Sequence, residues 1–283
     1  MAHAKGFSCI LTIKAKGLIP IKIGLIGKGN LGTYLLKTIN KEQLLPNAKI
    51  TAILDEREKA RNELPSLAAE YGCKAFHDIH SFLQSDIDIV VECSTIESAK
   101  KYALETVKQK DLLLISIGAF ADPSFGNLVE QVAKSSGRRI YLPSGAIGGL
   151  DLIKAAKLDG LLDSVTLTTR KPAHSLTADR ITAEQTLFEG PARDAIQQFP
   201  KNANVAIVLS LAGIGVEKTR VRIIADPNVT QNIHHIHASG AFGEFDMTIK
   251  NNPSPDNPKT SHITGASILA ALADIDSAVV VGS

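Results

Sequence analysis

The hydrophobic positions of this chain follow two regimes. Through the first half, short continuous apolar runs alternate with stretches of helical period. Ile21–Ile26, Lys49–Leu54, Asp86–Glu92 and Asp111–Ile117 read as buried strands, with shorter strands at Lys74–Phe76 and Arg139–Leu142. Leu31, Leu35, Leu36 and Ile39 form one helical stripe, and further helices are predicted near Leu64–Tyr71, Glu97–Lys110 and Phe125–Ser136. Strands alternating with helices imply a doubly wound parallel sheet with its ligand crevice at the C-terminal strand edge. From about residue 160 the period changes to two. Ser164–Arg170, Arg180–Gly190, Thr219–Ala225, Thr230–Ala238 and Glu244–Lys250 carry strand patterns, with few helices between them. Half-exposed antiparallel strands are expected there. Ala192–Phe199 reads as a short helix, and Asn204–Leu211 is so evenly apolar that it fits a helix or a strand.

The fold class predicted is therefore α/β: a Rossmann doubly wound parallel sheet, residues 21–145, joined to an α+β substrate and dimerisation domain rich in antiparallel strands, residues 146–261. Residues 1–20 are expected to be a disordered tail. Residues 262–283 are expected to form a C-terminal helix and tail packing back on the first domain.

The stretch IKIGLIGKGNLG, from Ile21 to Gly32, carries the first chemistry. Gly27, Gly29 and Gly32 stand at G-x-G-x-x-G spacing between a buried strand and a helix. In that context the first glycine permits a tight turn, the second lets backbone approach a pyrophosphate, and the third lets helix and strand pack closely. Asn30 and Leu31 begin the helix, whose free N–H groups and positive dipole end suit the same phosphates. Asp55 closes the second strand, where an acid hydrogen-bonds the adenosine ribose, which favours NAD. Arg57, two residues on, is placed to accept a 2′-phosphate, so NADP stays open. A second small-residue loop, PSGAIGGLD at 143–151, follows another strand and opens a helix at Leu150–Leu158. Gly145, Ala146, Gly148 and Gly149 let backbone come close to a ligand, here the nicotinamide end of the cofactor.

Composition narrows the partners. Among 283 residues the net charge is +2 and aromatics are 5%, which gives no footprint for nucleic acid or an anionic membrane. No apolar run approaches membrane-spanning length. Cys9, Cys73 and Cys93 are irregularly spaced and suit a reducing compartment, so a cytoplasmic location is expected, with no metal site. Cys93 ends a strand on the ligand edge, where a small residue lining the groove is favoured over a nucleophile. His77 and His80 are three apart and lack acid or cysteine partners at ligand spacing.

Three segments together carry a resemblance: PSGAIGGLD at 143–151, FPKNANV at 199–205 and NIHHI at 232–236. With SIGAFAD (116–122), TTRKP (168–172), SLAGIG (210–215) and NPKTS (257–261), they resemble the L-aspartate dehydrogenase family from residue 21 to the C-terminal helix. That resemblance implies reversible, NAD- or NADP-dependent oxidative deamination of L-aspartate to iminoaspartate, which hydrolyses to oxaloacetate and ammonia. It also implies a role in NAD biosynthesis and a homodimer. It makes His234 the active-site histidine, with Ala146 and Asn204 at the cofactor. The family often carries an acid after the histidine, and this chain has His235.

The chemistry agrees with such a residue. Amine oxidation needs proton transfer near neutral pH, and histidine is the usual group for it. Strand alternation puts His234 on the face opposite His235 and His237. A dicarboxylate needs cations, and Arg170, Lys171, Lys201 and Lys259 are the candidates. Two other readings share these features. One is a different Rossmann oxidoreductase, homoserine-dehydrogenase-like or dihydrodipicolinate-reductase-like. The other is a non-catalytic NAD-sensing module.

Overall fold

The computed structural model describes residues 20–58, 60–200, 204–254 and 257–282, without the side chains of 257–260. The expectation of a disordered tail over residues 1–20 thus falls almost wholly outside the described residues.

Six parallel strands form the first sheet: β1 (Ile21–Ile26), β2 (Ala48–Leu54), β3 (Lys74–Phe76), β4 (Ile89–Glu92), β5 (Asp111–Leu114) and β6 (Ile140–Tyr141). Their order is β3-β2-β1-β4-β5-β6. The order reverses at β1 and β4, so a crevice opens beyond the C-terminal ends of those two strands. Five helices cover the faces: α1 (Asn30–Leu35), α2 (Ala60–Glu70), α3 (Ile79–Leu83), α4 (Ile96–Val107) and α5 (Pro123–Ser135). Start signals in the sequence fix several of them. The Asp78 carboxylate accepts the Ser81 N–H at 2.8 Å, Thr95 caps α4 through the Ser98 N–H at 3.2 Å, and Asp122 caps α5 just ahead of Pro123. The helix after the glycine turn differs from its predicted form. Beyond Leu35 it continues as π-helix, Leu36–Lys41. Its stripe is still spent as the period requires, since Leu35, Leu36 and Ile39 are buried. Each such side chain contributes roughly 1.5–3 kcal/mol relative to exposure.

The second half opens with α6 (Leu150–Leu158), β7 (Leu162–Pro172), α7 (Ala173–Leu176), β8 (Gln185–Pro191), α8 (Ala192–Gln198) and α9 (Asn204–Ala212). It continues with β9 (Arg220–Asp226), β10 (Asn232–Gly240), β11 (Gly243–Asn251), the short β12 (Pro253–Ser254) and β13 (Asn257–Ser261), and α10 (Ile263–Ile275). The larger sheet runs β11-β10-β7-β9-β8. It is mixed rather than antiparallel throughout: β7 and β9 pair in parallel, Thr169 opposite Ile223. The chain from β7 to β9 passes through β8, α8 and α9, which is length enough for a parallel crossover.

The ambiguous Asn204–Leu211 run is a helix. Ala206, Ile207, Val208, Leu209 and Ser210 are buried in succession, so no polar face remains to show a period. This helix lies between the halves. It packs in one core with α6, α8 and the inner face of the mixed sheet, and that core also takes Ile117 from the 3₁₀ turn Ile117–Ala121 after β5. At the far end, Ile268, Leu269 and Leu272 of α10 join Leu25, Leu35 and Ile53 in the core of the parallel sheet. The chain therefore returns to its first half, and the strand-rich half is tied to it from both sides of the crevice.

Candidate active site

The crevice is built from the ends of β1, β4 and β5 below and from β7, β10 and α9 above. At its floor the turn after β1 holds Gly27 with φ +106°, and Gly29 is extended before α1 begins at Asn30. A Cβ placed on Gly29 meets no atom within 4 Å, so the concave side of the turn is open to a ligand. Cys93 lies beneath this turn. Its buried thiol hydrogen-bonds the Ile26 carbonyl at 3.6 Å, and burial, with the Glu92 charge, pushes its pKa up. It is a packing residue of the groove floor and no nucleophile.

Asp55 is buried at the end of β2 and grips Arg57 through two oxygens, Nε to Oδ1 at 2.9 Å and Nη2 to Oδ2 at 2.6 Å. Burial alone would raise its pKa. The Arg57 hydrogen bonds and charge, with a smaller contribution from Lys28, outweigh that and hold the carboxyl below its usual value. The open turn, the helix start at Asn30 and Leu31 just beyond it, and this ionised acid at the end of β2 fit a dinucleotide.

Glu92 carries a role that the buried strand run DIDIVVE did not reveal. Its carboxylate ends β4 and accepts the Ser94 N–H at 2.8 Å and the Ser116 N–H at 3.2 Å. It thus ties together the loops after β4 and β5 that border the crevice. Burial pushes its pKa up to about 6, even against those donors.

A cavity of about 150 Å³ lies above the floor. Leu31, Ala146, Lys171, Asn204 and His234 all line it, drawn from widely separated parts of the chain. Asn204 accepts the Gly118 N–H at 3.2 Å, which fixes its amide over the end of β5. The Ala146 carbonyl accepts Asn251 Nδ2 at 2.8 Å, so a buried asparagine on β11 pins the small-residue loop. His234 is buried on β10 opposite Thr169 of β7, whose hydroxyl lies 3.0 Å from Nδ1. That contact orients the ring and leaves Nε2 for a ligand. Burial, and then the charge of Lys171, lower the His234 pKa to about 3, so the ring is neutral at pH 7. The sequence missed Thr169 and Asn251. The signal for Thr169 is its parity with Lys171 on β7, legible once the β7–β10 register is known.

The other candidate cations divide. Arg170 is not brought to the cavity. It points from the opposite face of β7, where it pairs with Glu184 and reaches Asp226 Oδ2 at 2.5 Å. Strand alternation makes Arg170 and Lys171 mutually exclusive at one face. Lys201 and the side chain of Lys259 lie outside the described residues. His235 and His237 occupy the outer face as alternation requires, both within 3.2 Å of Asp246 Oδ1 on β11. An acid therefore does stand beside His235, supplied across the ladder and on the face away from His234. His77 precedes α3, the helix that holds His80, and its Nδ1 lies 3.1 Å from the Asp55 carbonyl.

A Rossmann crevice facing a buried histidine from a strand-rich half defines an NAD(P)-dependent dehydrogenase. Comparison with known proteins agrees. The family profile described as aspartate dehydrogenase, C-terminal, matches residues 151–275, and that of the homoserine dehydrogenase NAD-binding domain matches residues 27–143. The chain is 37% identical to an L-aspartate dehydrogenase of Methanosarcina barkeri over 275 residues, covering 93% of this chain and all of the relative. It is 38% identical to one from Nitrosopumilus maritimus, covering 89% and 95% of the two chains. The crystal structure of aspartate dehydrogenase from Thermotoga maritima superposes with a TM-score of 0.74 at 32% identity, covering 93% and 99%. The chain belongs to the L-aspartate dehydrogenase family.

Proposed function

We propose that this protein catalyses the reversible NAD(P)-dependent oxidative deamination of L-aspartate to iminoaspartate, which hydrolyses to oxaloacetate and ammonia. The observation that carries this reading is the meeting of His234, Lys171, Asn204 and Ala146 at one cavity that Leu31, at the start of α1, also lines. A non-catalytic NAD sensor has no need of a histidine and a lysine buried at the reacting end of the cofactor. The other Rossmann oxidoreductases considered fit the first half equally well, and family membership argues against them.

In this reading Gly27, Gly29, Asn30, Leu31 and Gly32 receive the pyrophosphate. Asp55 binds the adenosine ribose, and Ala146 and Asn204 border the nicotinamide. The bound cofactor supplies the hydride acceptor. His234 hydrogen-bonds the reacting end of the substrate, Lys171 faces the same end of the cavity, and Lys201 and Lys259 are candidates from the adjoining segments for its carboxylates. The enzyme acts as a cytoplasmic homodimer and delivers iminoaspartate to NAD biosynthesis. Among the described residues no helix is long and apolar enough to cross a membrane.

The test is direct. Purified protein is given L-aspartate with NAD and then NADP, and the reduced cofactor is followed by absorbance. The reverse reaction uses oxaloacetate and ammonia. Turnover of aspartate and none of homoserine is expected. Cofactor binding without turnover in either direction would overturn the proposal.

Cofactor choice gives a second test. Asp55→Ala removes the ribose acceptor and releases Arg57, a residue well suited to a phosphate. NADP is expected to gain on NAD by about 10- to 100-fold, the equivalent of one or two charge-assisted hydrogen bonds. Titration of both reduced cofactors by fluorescence measures it. An unchanged ratio would remove Asp55 from the ribose site.

A further inference from the structure

We infer that Lys171, rather than His234, exchanges the proton that the substrate amine must release, while His234 serves as a neutral hydrogen-bonding partner. The inference rests on the aspartate dehydrogenase reading and goes beyond it by dividing the site's two polar groups between two tasks.

The placement comes from the sheet. His234 faces Thr169 across the β10–β7 ladder, so Lys171, two residues further along β7, projects on the same face diagonally from the histidine. Diagonal neighbours in an antiparallel ladder stand ~7–8 Å apart at the backbone, within reach of one another's long side chains, so one small substrate can meet both. Both side chains line the same cavity, beside Asn204 and the Ala146 loop. Lys171 is only 6% exposed and His234 only 2%.

Among the described residues lining the cavity, these two alone titrate. The α9 residues there are Asn204, Val205 and Val208, and α10 and β13 contribute Thr264 and Ser261. On β9, Lys171 is paired with Ala225, and the next residue, Asp226, bonds Arg170 on the other face of the sheet. Burial then acts on the two groups unequally. It lowers Lys171 to about 8, which leaves a share of neutral amine at working pH. Burial first, and then the charge of Lys171 while it is protonated, lower His234 to about 3, which makes its ring a poor proton acceptor near neutrality.

The steps balance as follows. The substrate enters as an α-ammonium, and neutral Lys171 Nζ takes one of its protons, which frees the nitrogen lone pair. The Cα–H bond breaks with its electron pair passing to the oxidised nicotinamide, and the lone pair forms the Cα=N bond of the iminium. Water adds to Cα and loses a proton to solvent. Lys171 returns its proton to the nitrogen of this carbinolamine, the C–N bond breaks, and the hydroxyl proton leaves with the ammonia as ammonium. Oxaloacetate remains. Through these steps His234 Nε2 hydrogen-bonds the substrate without changing charge.

The experiment compares wild type with Lys171→Arg and Lys171→Ala, measuring kcat and KM for L-aspartate across pH and cofactor dissociation constants by fluorescence. Wild-type kcat/KM is expected to rise with pH through about 8, as Lys171 loses its proton. Arginine keeps the charge and cannot exchange the proton. Lys171→Arg should therefore lose kcat by about 10²- to 10³-fold with KM within a few-fold, cofactor affinity unchanged and the limb near pH 8 gone. Lys171→Ala should regain rate on addition of small primary amines, in proportion to the neutral amine present.

An arginine variant that keeps both kcat and the limb would overturn the inference. So would an alanine variant that loses only KM and ignores added amines, which would make Lys171 a carboxylate grip alone. Should either variant fail to fold, absence of the limb in wild type is enough to overturn it. Wild type that binds cofactor and leaves aspartate untouched overturns the aspartate reading and this inference with it. Active wild type with unmoved profiles in the variants overturns the inference alone.

Discussion

Gly32→Ala is expected to weaken cofactor binding by about 100-fold or more and to destabilise the protein, whereas Gly29→Ala should fold as wild type and lose affinity only. The two glycines sit three residues apart in one fingerprint and answer to different constraints. A Cβ on Gly32 would stand 2.1 Å from the Gly27 carbonyl oxygen and 3.1 Å from its carbon. Those are backbone atoms of the turn itself, so no side chain can yield and the helix must move away from the strand. Overpacking of this kind costs about 1–3 kcal/mol, and it displaces the very loop that receives the phosphates. A fall in Tm of several degrees and a rise of about 100-fold or more in the dissociation constant are expected. A Cβ on Gly29 meets nothing within 4 Å and its backbone is extended at φ −72°. The protein tolerates the added methyl there, and only an approaching pyrophosphate meets it. Thermal unfolding with fluorescence titration of the reduced cofactor separates the two effects. Undiminished binding by Gly29→Ala would mean that the ligand does not approach this turn.

That contrast shows what a sequence carries and what it leaves to the fold. The parallel sheet was legible because its strands are buried on both faces, which makes each an unbroken apolar run such as Ile89–Glu92, and because helices separate them. In the second half the alternation in β7, β10 and β11 disclosed strands but not partners. Nothing local to Ser164–Arg170 says that β9 lies beside it in parallel. The same gap explains the cations. Arg170 and Lys171 are adjacent and chemically alike on paper, and choosing between them requires knowing that Thr169 faces His234. With that one register fixed, parity assigns Lys171 to the cavity and sends Arg170 to Glu184 and Asp226. His234, Ala146 and Asn204 entered as candidates through the family resemblance of three short motifs, and the fold brings all three to one cavity. Glu92 and Asn251 escaped since their work, holding loops from within, depends on burial and on backbone partners that no spacing records.

His234→Ala should lower kcat by about 100- to 1000-fold, the usual loss for a preorganised hydrogen-bonding group at a reacting centre, with the cofactor dissociation constant unchanged. It should also alter the response to acid, and the sign follows from burial. The His234 pKa in the folded protein is about 3, against an ordinary 6.5. As pH falls below 6.5 the unfolded chain takes up a proton that the native state refuses. The stability that His234 contributes is therefore complete above 6.5 and is lost progressively on the way down to 3, at about 1.4 kcal/mol per pH unit. Glu92 works in the opposite direction. Its folded value of about 6 lies above the ordinary 4.5, so its contribution is complete below 4.5 and is lost as pH rises through 6. Acidification from 6.5 to 4.5 thus sets a loss of about 3 kcal/mol at His234 against a gain of about 2 kcal/mol at Glu92, and below 4.5 the histidine acts without that offset. Removing the imidazole leaves the Glu92 gain unopposed. The alanine variant, less stable than wild type near neutrality because of the cavity it opens, should close the difference by about 2–3 kcal/mol between pH 6.5 and 4.5. Urea unfolding of both proteins at those two values measures the change. A difference that stays constant with pH would show that His234 is not held neutral in the folded state, and would return the proton-exchange role to the histidine.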